Sequence, residues 1–365
     1  MNHYIFRRLL LMIPTLFGIM LINFAVVQVV PGGPVEQMVA QLKDKQKGTN
    51  ILDNNAGSGD VVNSKIDPSS IQSGGRYVGM DERMVEELKK FYGFDQPAWK
   101  RFLVMIKNYL SFNFGTSYSS GQPIIKMIID RMPVSLSLGL WSTLIIYSIA
   151  IPLGIHKAKK KDQTFDHVSS LILILLSSLP SFLVAILLLV VLAGGRYLSI
   201  FPLSGLTSDN FASLSVGGKI VDYLWHLVLP ITAGTIGGFT SLAILTKNSF
   251  LEELGKNYVM LARAIGLPER RVFYGQVFRN AMLLVLASLP ATLITTLFTS
   301  NLMIEIIFSL NGLGLMGYEA AITRDYSVVF ATLYIFTLMS LVLGLIGDIC
   351  YSLVDPRINF ESIDS

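Results

Sequence analysis

The side chains of this sequence best suited to bind a ligand are hydroxyls and amides that lie within long apolar runs. Such groups donate and accept hydrogen bonds without the strong attraction of a full charge, so a row of them lets a polar solute pass without holding it tightly. The richest row falls in the apolar run 281–304 and comprises Thr292, Thr295, Thr296, Thr299, Ser300 and Asn301. The chemistry that such a row could supply is weak, reversible contact with a polar solute.

Two other apolar runs carry similar rows. They comprise Thr232, Thr235, Gly237, Gly238, Thr240 and Ser241 in one run, and Ser177, Ser178 and Ser181 in the other. Small residues in membrane helices also serve close helix packing, which is the competing interpretation. From the residues alone, packing is favoured for the first of these two runs, whereas for the run 281–304 a pathway is slightly favoured.

Glu305 follows the hydroxyl-rich run directly. A carboxylate beside so apolar a segment is costly unless it is paired or hydrated. It would either contact an amine of a passing solute or an outer vestibule, or hold the turn 311–314 by hydrogen bonds. The structural role is the favoured one, although Glu305 is also assigned provisionally to the translocation path.

Sequence patterns of catalysis are missing. There is no G-x-x-x-x-G-K-[ST] loop for nucleotide phosphates, no H-E-x-x-H and no G-x-S-x-G. The four histidines lie at or beyond the ends of the apolar runs, and Cys350, the single cysteine, cannot form an intrachain disulfide. We therefore predict no catalytic residue, no metal site and no cofactor bound by this chain.

Composition identifies the class of protein that must position these groups. Of 365 residues, 52% are hydrophobic and 15% are charged, with a mean hydropathy of +0.56. A soluble domain carries about 25% charged residues. The balance predicts a polytopic membrane protein, and it excludes a disordered chain, a disulfide scaffold and a coiled coil. A net charge of +4 gives no indication of a nucleic-acid partner.

Six apolar runs are long enough to cross a bilayer as helices, for which about 20 residues are needed. They are residues 9–30, 136–155, 168–193, 227–246, 281–304 and 328–347. The first is too long for a signal peptide and lacks a small-x-small cleavage site, so we interpret it as a retained helix. Pro180 and Pro230 predict kinks in the third and fourth runs.

The distribution of basic residues predicts the orientation. With the N-terminus inside, the inner segments hold thirteen Lys and Arg residues and the two short outer loops hold three. Positive charge concentrates on the cytoplasmic side, so we expect both termini in the cytoplasm of a multi-pass protein of the bacterial inner membrane. Spans almost free of charge also argue against an ion-coupled carrier, which keeps such residues at mid-membrane. The energy should therefore come from a partner.

One outer segment is long. Its part 44–75 is rich in Gly, Ser, Asn and Asp and is predicted to be mobile. Beyond it, residues 81–93 and 99–110 each show an amphipathic helical pattern. These two helices form a structural cap or, alternatively, a docking surface for a partner.

The inner loop 247–280 has the pattern of a short helix between two breaks. Residues 258–265 favour a helix, Gly266 ends it, and Pro268 opens a second, basic helix that leads back to the membrane. A short helix held in this way suits the groove of a partner. A basic interfacial loop without a docking role is the alternative.

This loop resembles the signature loop of binding-protein-dependent ABC importer permeases, dipeptide/oligopeptide branch. The resemblance rests on Tyr258, Val259, Ala262, Arg263, Ala264, Gly266, Leu267 and Pro268, followed by Val272 and Arg279-Asn280-Ala281. In that family the loop carries the helix that docks on the ATPase, so the resemblance implies that the first eight of these residues, together with Leu261, couple this chain to an ATPase. Against the general E-A-A-x3-G pattern, Ala262 and Gly266 match by spacing, while Met260 and Leu261 replace the Glu and the first Ala. A salt bridge from that missing Glu is therefore not expected.

Further motifs extend the resemblance over most of the chain. They are Arg7-Arg8-Leu9, Pro31-Gly32-Gly33-Pro34, Tyr92-Gly93-Phe94-Asp95-Gln96-Pro97, Phe114-Gly115-Thr116-Ser117, Phe308-Ser309 with Asn311-Gly312-Leu313-Gly314, and Arg324-Asp325-Tyr326. Asn311 stands where the family usually has Pro. The run 308–320 and the long outer insertion are similar to peptide permeases that also take up peptide-nucleotide antibiotics such as microcin C.

The resemblance implies an all-α membrane protein with six transmembrane helices and the type I ABC importer (MetI-like) fold. The expected divisions are a first helix 1–30, a periplasmic segment 31–134, a permease core 135–352 with coupling loop 247–280, and a tail 353–365. It also implies a homologous second permease, an ABC ATPase that holds ATP and Mg, a periplasmic substrate-binding protein and membrane lipid around the helices. Nickel or sugar cargo, and a secondary carrier or channel, are the alternatives.

Overall fold

A computed structural model describes residues 2–29, 96–194, 197–298 and 302–354, and helices dominate these ranges. The helices are α1 (Asn2–Val29), α2 (Ala98–Leu110), α3 (Ile124–Lys159), α4 (Thr164–Ser178), α5 (Ser181–Leu192), α6 (Val216–Leu254), α7 (Asn257–Ala264), α8 (Glu269–Arg271), α9 (Phe278–Ala287), α10 (Leu289–Phe298), α11 (Leu302–Ile307), α12 (Leu313–Ile322) and α13 (Tyr326–Val354). A π-helical segment, Val272–Val277, connects α8 to α9. The prediction of an all-α chain is confirmed, and the described residues add only one isolated β-bridge, between Thr116 and Pro123.

The chain divides into two compact units. The larger comprises Met1–Ile13, Ile128–Glu319 and Ile335–Ser365, and the smaller comprises Pro14–Met127 and Ala320–Tyr334. The larger unit contains the hydroxyl-rich runs and the loop 247–280. The segments predicted as mobile (44–75) and as a first outer helix (81–93), and the tail from 355, lie outside the described residues. The second outer helix, predicted over 99–110, is α2.

Five helical stretches within the described ranges are long and apolar enough to cross a membrane. They are Ile5–Val26, Ile124–Lys159, Val216–Leu254, Glu269–Ile294 and Tyr326–Ile349. The pair α4 and α5 supplies a sixth span if it is counted as one. Six spans were predicted, and the number agrees when the pair is counted as one span, with corrections in the third and the fifth.

The third predicted span is broken rather than kinked. Helices α4 and α5 meet at an angle of 89° around Leu179 and Pro180. Pro180 has no N–H and disfavours a helical conformation at the residue before it, and Leu179 is extended, with φ −84° and ψ 124°. By contrast, Pro230 lies inside the uninterrupted helix α6.

The fifth predicted span also needs correction. The helical stretch starts earlier, at Glu269, and the residues before Glu305 belong to a separate short helix, α11. A π-helical turn at Val272–Val277 replaces part of the expected basic helix. Such segments arise from tertiary packing and carry no periodic signal in the sequence.

Small residues allow close helix packing in the larger unit. A Cβ on Gly154 of α3 would lie 2.6 Å from Thr246 Cβ on α6, and one on Gly238 of α6 would lie 2.5 Å from Ile146 Cδ1 on α3. Gly154 has no room for a methyl group, because the main-chain Ala243 O would also lie 2.7 Å from it, whereas at Gly238 the end of the Ile146 side chain would have to move. Close packing is therefore favoured for Gly238, whereas a Cβ on Gly237 would meet nothing within 4 Å.

A carboxylate organises the smaller unit. Asp325, which is 1% exposed, accepts hydrogen bonds from Ser117 Oγ (2.7 Å), from the Ser119 amide (3.1 Å) and from the Val328 amide (3.3 Å). It thereby caps the start of α13 and fastens the loop after α2. Two motifs that are far apart in the sequence, around Ser117 and Asp325, are thus one structural feature.

Candidate functional site

The short helix α7 exposes one face and buries the other. Val259 is 0% exposed and Ala262 is 7% exposed, and both pack into a core cluster with Phe250 and Val272. Burying a valine side chain stabilises the fold by about 1.5–3 kcal/mol. The sequence predicted a helix over 258–265, and the structure places it at Asn257–Ala264.

The opposite face of α7 is apolar and exposed. Met260, Leu261 and Ile265 are 55%, 64% and 69% exposed, and Arg263 and Ala264 are exposed beside them. Exposing three large apolar side chains to water is energetically unfavourable, so a cluster of this kind at the tip of a loop indicates a surface that contacts another molecule. We call residues 260, 261, 263, 264 and 265 the α7 outer face.

Hydrogen bonds fasten α7 to the helices on both sides of it. Tyr258 Oη donates to Glu253 Oε2 of α6 (2.7 Å) and accepts from Asn280 Nδ2 of α9 (3.2 Å), and Lys256 also pairs with Glu253. Burial, and then the bond to Glu253, raise the pKa of Tyr258, so its hydroxyl stays protonated. Glu253 likewise raises the pKa of Lys256, which keeps its charge. A push on α7 would therefore be transmitted to α6 and α9 together.

The end of α7 depends on Gly266. This residue has φ +80°, and its amide donates to Arg263 O (3.0 Å), while the Leu267 amide donates to Ala262 O (3.2 Å). Only glycine adopts this left-handed conformation without strain. Leu267 is half-buried against the core cluster, and Pro268 precedes α8. The predicted Gly-Leu-Pro break is therefore confirmed in its position.

A basic and aromatic patch follows α8. Lys159 Nζ lies 4.5 Å and 4.4 Å from the ring centres of Phe273 and Tyr274, and it donates to Tyr274 Oη at 2.8 Å. Arg263 Nε donates to Glu269 Oε1 at 2.7 Å across the break. These contacts tie the end of α3 to the π-helical segment and α7 to α8.

The hydroxyl-rich runs meet around one cavity in the larger unit. It has a volume of about 880 Å³, and α3, α4, α5, α6, α9–α10 and α11 contribute to its walls. The small and hydroxylated residues lining it are Ser177, Ser181, Gly234, Gly237, Gly238, Ser241, Ser288, Thr292 and Thr296, and no charged side chain lines it. Apolar side chains, among them Ile146, Leu242 and Met303, complete the lining, so a solute would meet weak hydrogen-bonding groups beside apolar ones.

Two predicted path residues lie in this cavity. Thr292 donates to Ser288 O (3.0 Å) and lies 3.3 Å from Tyr147 Oη, and Thr296 lies 2.9 Å from Thr143 Oγ1. Thr295 lies in α10, and Thr299, Ser300 and Asn301 lie outside the described residues. The sequence did not indicate Ser288 or Gly234, although Ser288 stands one helical turn before Thr292.

Other predicted small residues lie elsewhere. Thr240 is buried and donates to Leu173 O (2.8 Å), which joins α6 to α4. Thr232 and Thr235 line a second, apolar cavity of about 480 Å³ with Trp141 and Phe239. Helix α6 thus has one polar, small-residue face and one apolar face.

Glu305 is fully buried, at 0% exposure. Its carboxylate accepts hydrogen bonds from Ser135 Oγ (3.0 Å) and from the Leu315 amide (2.7 Å), at the start of α12. A Cβ on Gly312 would collide with this carboxylate. The geometry supports the structural one of its two predicted roles, because a buried carboxylate that holds the start of a helix does not face a passing solute.

Comparison with known proteins gives consistent results. Residues 150–360 match the family described as binding-protein-dependent transport system inner membrane component. The chain is 50% identical to the inner membrane ABC transporter permease protein YejB of Escherichia coli O157:H7, over 99% of this chain and all of that protein. It is also 50% identical to the peptidoglycan transport system permease protein YejB of Agrobacterium fabrum, with both chains fully covered.

More distant relatives are also named as permease proteins of peptide transport systems. The chain is 29% identical to the oligopeptide transport system permease protein AppB of Bacillus subtilis, over 99% of this chain and all of that one. Among solved structures, an inward-facing form of the MetNI methionine ABC transporter aligns with a TM-score of 0.49 and 17% identity, over 64% of this chain and 99% of that one. So weak a likeness carries no argument about cargo.

Proposed function

This chain belongs to the family of binding-protein-dependent transport system inner membrane components, and from this premise we propose how it transports peptides. It is a non-catalytic, multi-pass permease subunit of an inner-membrane ABC importer for peptides. The cargo class includes short peptides, peptide-containing fragments of peptidoglycan and peptide-nucleotide compounds such as microcin C. The names of the relatives support the first two, and the motifs of the sequence support the third.

The observation that carries the mechanism is the α7 outer face. The helix α7 is short, exposes three apolar side chains and is anchored through Tyr258 to α6 and α9. These are the features of a helix that docks into an apolar groove on another protein. Importer permeases of this family work with an ATPase subunit that holds ATP and Mg. We assign the α7 outer face to the contact with that ATPase.

Movement passes from α7 to the cavity along two helices. Tyr258 connects α7 to Glu253 at the end of α6 and to Asn280 at the start of α9, and both stretches run on to walls of the cavity. Closing of the ATPase would therefore shift Ser241 on α6 and Thr292 on α10 together. Alternating access follows because the cavity is then opened to one side of the membrane at a time.

The cavity is the proposed translocation path. Its walls combine hydroxyl-bearing, small and apolar side chains and include no charged one, so they contact a peptide without selecting one charge. A second, homologous permease completes the passage, and a periplasmic binding protein delivers the cargo. Both termini are cytoplasmic in this proposal, in agreement with the concentration of Lys and Arg in the inner loops.

The test is recovery of the assembly from the native membrane. The chain is purified in mild detergent, its partners are identified by mass spectrometry, and ATP hydrolysis is measured. Leu261→Asp puts a charge into the proposed groove contact, and we expect ATPase recovery to fall about tenfold, a loss of about 1.4 kcal/mol of binding free energy. Ile220→Asp is the matched control, because Ile220 is also exposed (56%) but lies near the start of α6, far along the chain from α7.

Recovery of an ATPase and a second permease with the unaltered chain, and loss of the ATPase with Leu261→Asp alone, would support the proposal. If the chain is purified alone and no ATP hydrolysis accompanies it, the importer mechanism is wrong. Equal recovery of the ATPase with both variants would place the contact elsewhere on the chain.

A further inference from the structure

A row of polar contacts joins α3 to the stretch α9–α10 behind one wall of the cavity. Thr143, Tyr147 and Thr296 take part in it and are 5%, 9% and 7% exposed, so this chain alone buries them. The contacting residues stand four apart on each side, at 139, 143 and 147 of α3 and at 288, 292 and 296 of α9–α10. We call these six residues the hydroxyl seam.

Tyr147 offers one proton to two acceptors. Ser288 Oγ donates to Val285 O (2.7 Å) and Thr292 Oγ1 donates to Ser288 O (3.0 Å), so both hydroxyls use their own protons on nearby carbonyls. Tyr147 Oη is therefore the donor to them, at 2.9 Å from Ser288 Oγ and 3.3 Å from Thr292 Oγ1. A bond to either acceptor satisfies the tyrosine, and the two acceptors lie about one helical turn apart.

Thr296 likewise meets two successive turns of α3. Its Oγ1 lies 2.9 Å from Thr143 Oγ1 and 3.4 Å from Gly139 O. The structure thus contains contacts of two different registers between the same helices, and neither register is complete.

The two registers are defined by their pairs. Register 1 pairs Tyr147 with Thr292 and Thr143 with Thr296, and register 2 pairs Tyr147 with Ser288, Thr143 with Thr292 and Gly139 O with Thr296. Four residues of helix rise by about 6 Å, so a slide of about 3 Å in either direction completes one register. The hydroxyls keep partners in both positions.

The contact of α3 with α6 is of another kind. Thr246 and the main chain at Ala243 occupy the space that Gly154 leaves, and Ile146 packs over Gly238. Such close packing of shapes has one register, whereas weak neutral hydrogen bonds exchange partners readily. Helices α3 and α6 should therefore move as one body, and the hydroxyl seam is the place where α10 slides along it.

The surface of α3 under α10 is narrow enough for a slide. A Cβ on Gly139 would collide with Leu297 of α10, so the two helices approach closely there. Ser135 and Thr143 stand one turn before and one turn after Gly139. Leu297 therefore meets a small residue on each of three successive turns.

A pivot for α10 is present at its start. Helix α9 ends and α10 begins around Ser288, and Pro290 has no N–H to continue the hydrogen bonds of α9 into α10. The ring of Pro290 is held against α13, where a Cβ on Gly347 would collide with it. Helix α9 is itself fastened to α7 through Asn280 and Tyr258. The residues beyond Pro290 can thus shift while α9 stays in place.

We propose that Tyr147 is the positioning residue of a sliding wall. Its single proton, given either to Ser288 or to Thr292, sets α10 in one of two registers, and Thr292 and Thr296 move with α10 at the cavity surface. Packed elements with two discrete arrangements are what allows a small push to become a defined movement. The inference rests on the proposed function, and it adds the element that moves and the residue that sets its two positions.

Disulfide trapping measures the register. In the complete transporter, with Cys350 replaced by serine, Thr143→Cys is combined with Thr296→Cys to report register 1 and with Thr292→Cys to report register 2. The pairs are oxidised without nucleotide and again with ATP and vanadate. We expect the ratio of the two disulfide yields to change about fivefold between these states, the value of one neutral hydrogen bond. The matched control is Ile146→Cys with Gly238→Cys on the α3–α6 contact, whose yield should be the same in both states.

A second comparison isolates the tyrosine hydroxyl. Ser288→Ala removes the Tyr147 acceptor that belongs to register 2 alone, so the ratio should move about fivefold toward the register 1 disulfide. Tyr147→Phe removes the donor from both registers and should leave the ratio within about twofold. In the Tyr147→Phe background, Ser288→Ala should then have no effect, because the acceptor has lost its donor. A merely structural role of Tyr147 would leave the effect of Ser288→Ala unchanged.

Three results would overturn the proposal. One is the same ratio of disulfides with and without ATP and vanadate in a transporter that hydrolyses ATP. Another is the absence of both seam disulfides where the 146–238 control pair forms. A third is an effect of Ser288→Ala that is equal with and without the Tyr147 hydroxyl. If no ATPase accompanies the unaltered chain, the proposed function has failed, and the comparison of Ser288→Ala in the two backgrounds still decides the role of Tyr147.

Discussion

At the scale of single residues, the structure contains groups whose surroundings leave little choice of residue type. Glu305 is fully buried and holds the start of α12 through Ser135 and the Leu315 amide. Gly312 must lack a side chain because a Cβ would enter the space of the carboxylate. The sequence predicted that Glu305 holds the turn 311–314, since a carboxylate next to an apolar run needs a hydrogen-bonding partner nearby. The donor Ser135 could not be predicted, because it is 170 residues away.

Gly312→Ala should therefore destabilise the permease. The added methyl group overpacks the Glu305 site, and such overpacking costs about 1–3 kcal/mol. The measurement is the unfolding temperature of the purified complex in detergent. Gly237→Ala is the control, because a Cβ there meets nothing within 4 Å. Equal unfolding temperatures for the two variants would show that Glu305 does not hold the turn in this way.

At the scale of helices, a buried ion cluster joins three of them. Asp166 of α4 lies 3.1 Å from Lys157 Nζ of α3 and 2.6 Å from Lys247 Nζ of α6. Lys157 is 0% exposed and donates to Ser169 Oγ and Ser170 Oγ as well. From the sequence these lysines counted only as positive charge on the inner side. Their role as a clamp was not predictable, because it depends on which helices pack together.

Removing the carboxylate of this cluster should cost more than removing the buried lysine. Asp166→Asn leaves the Lys157 charge buried without its counter-ion, which costs about 3–5 kcal/mol, whereas Lys157→Met leaves Asp166 paired with Lys247. The double variant should unfold at a higher temperature than Asp166→Asn alone, because the unpaired charge is gone. Lys160→Met, at an exposed lysine, is the control. If Asp166→Asn unfolds at the same temperature as Lys160→Met, the clamp contributes nothing.

The helices also show where sequence patterns are insufficient. Apolar length predicted the spans, and Gly266 with Pro268 predicted the end of α7, because these signals are local. The proline in the third run predicted a kink, and the structure has a break of 89°, since local sequence does not reveal whether a helix resumes in the same direction. The π-helical segment Val272–Val277 has no local signal either.

At the scale of the whole molecule, the charge distribution of the loops makes a prediction that the helices alone do not test. Both termini and the loop 247–280 should be cytoplasmic, and the segment before α6 should be periplasmic. With Cys350 first replaced by serine, single cysteines at Ser208 and at Lys161 report on opposite sides. A membrane-impermeant maleimide added to intact spheroplasts should label position 208 and not position 161. The reverse pattern would invert the topology and contradict the ATPase contact.

The central claim is that this chain forms a peptide pathway driven by ATP hydrolysis on a separate subunit. The most direct measurement is uptake of radiolabelled oligo-alanine by proteoliposomes that contain the purified permeases and ATPase, with the periplasmic binding protein outside and ATP inside. The account predicts accumulation that requires hydrolysable ATP and is lost, with the ATPase still present, when Gly266→Pro distorts the end of α7. Uptake that proceeds without ATP, or accumulation that persists in Gly266→Pro, would contradict it.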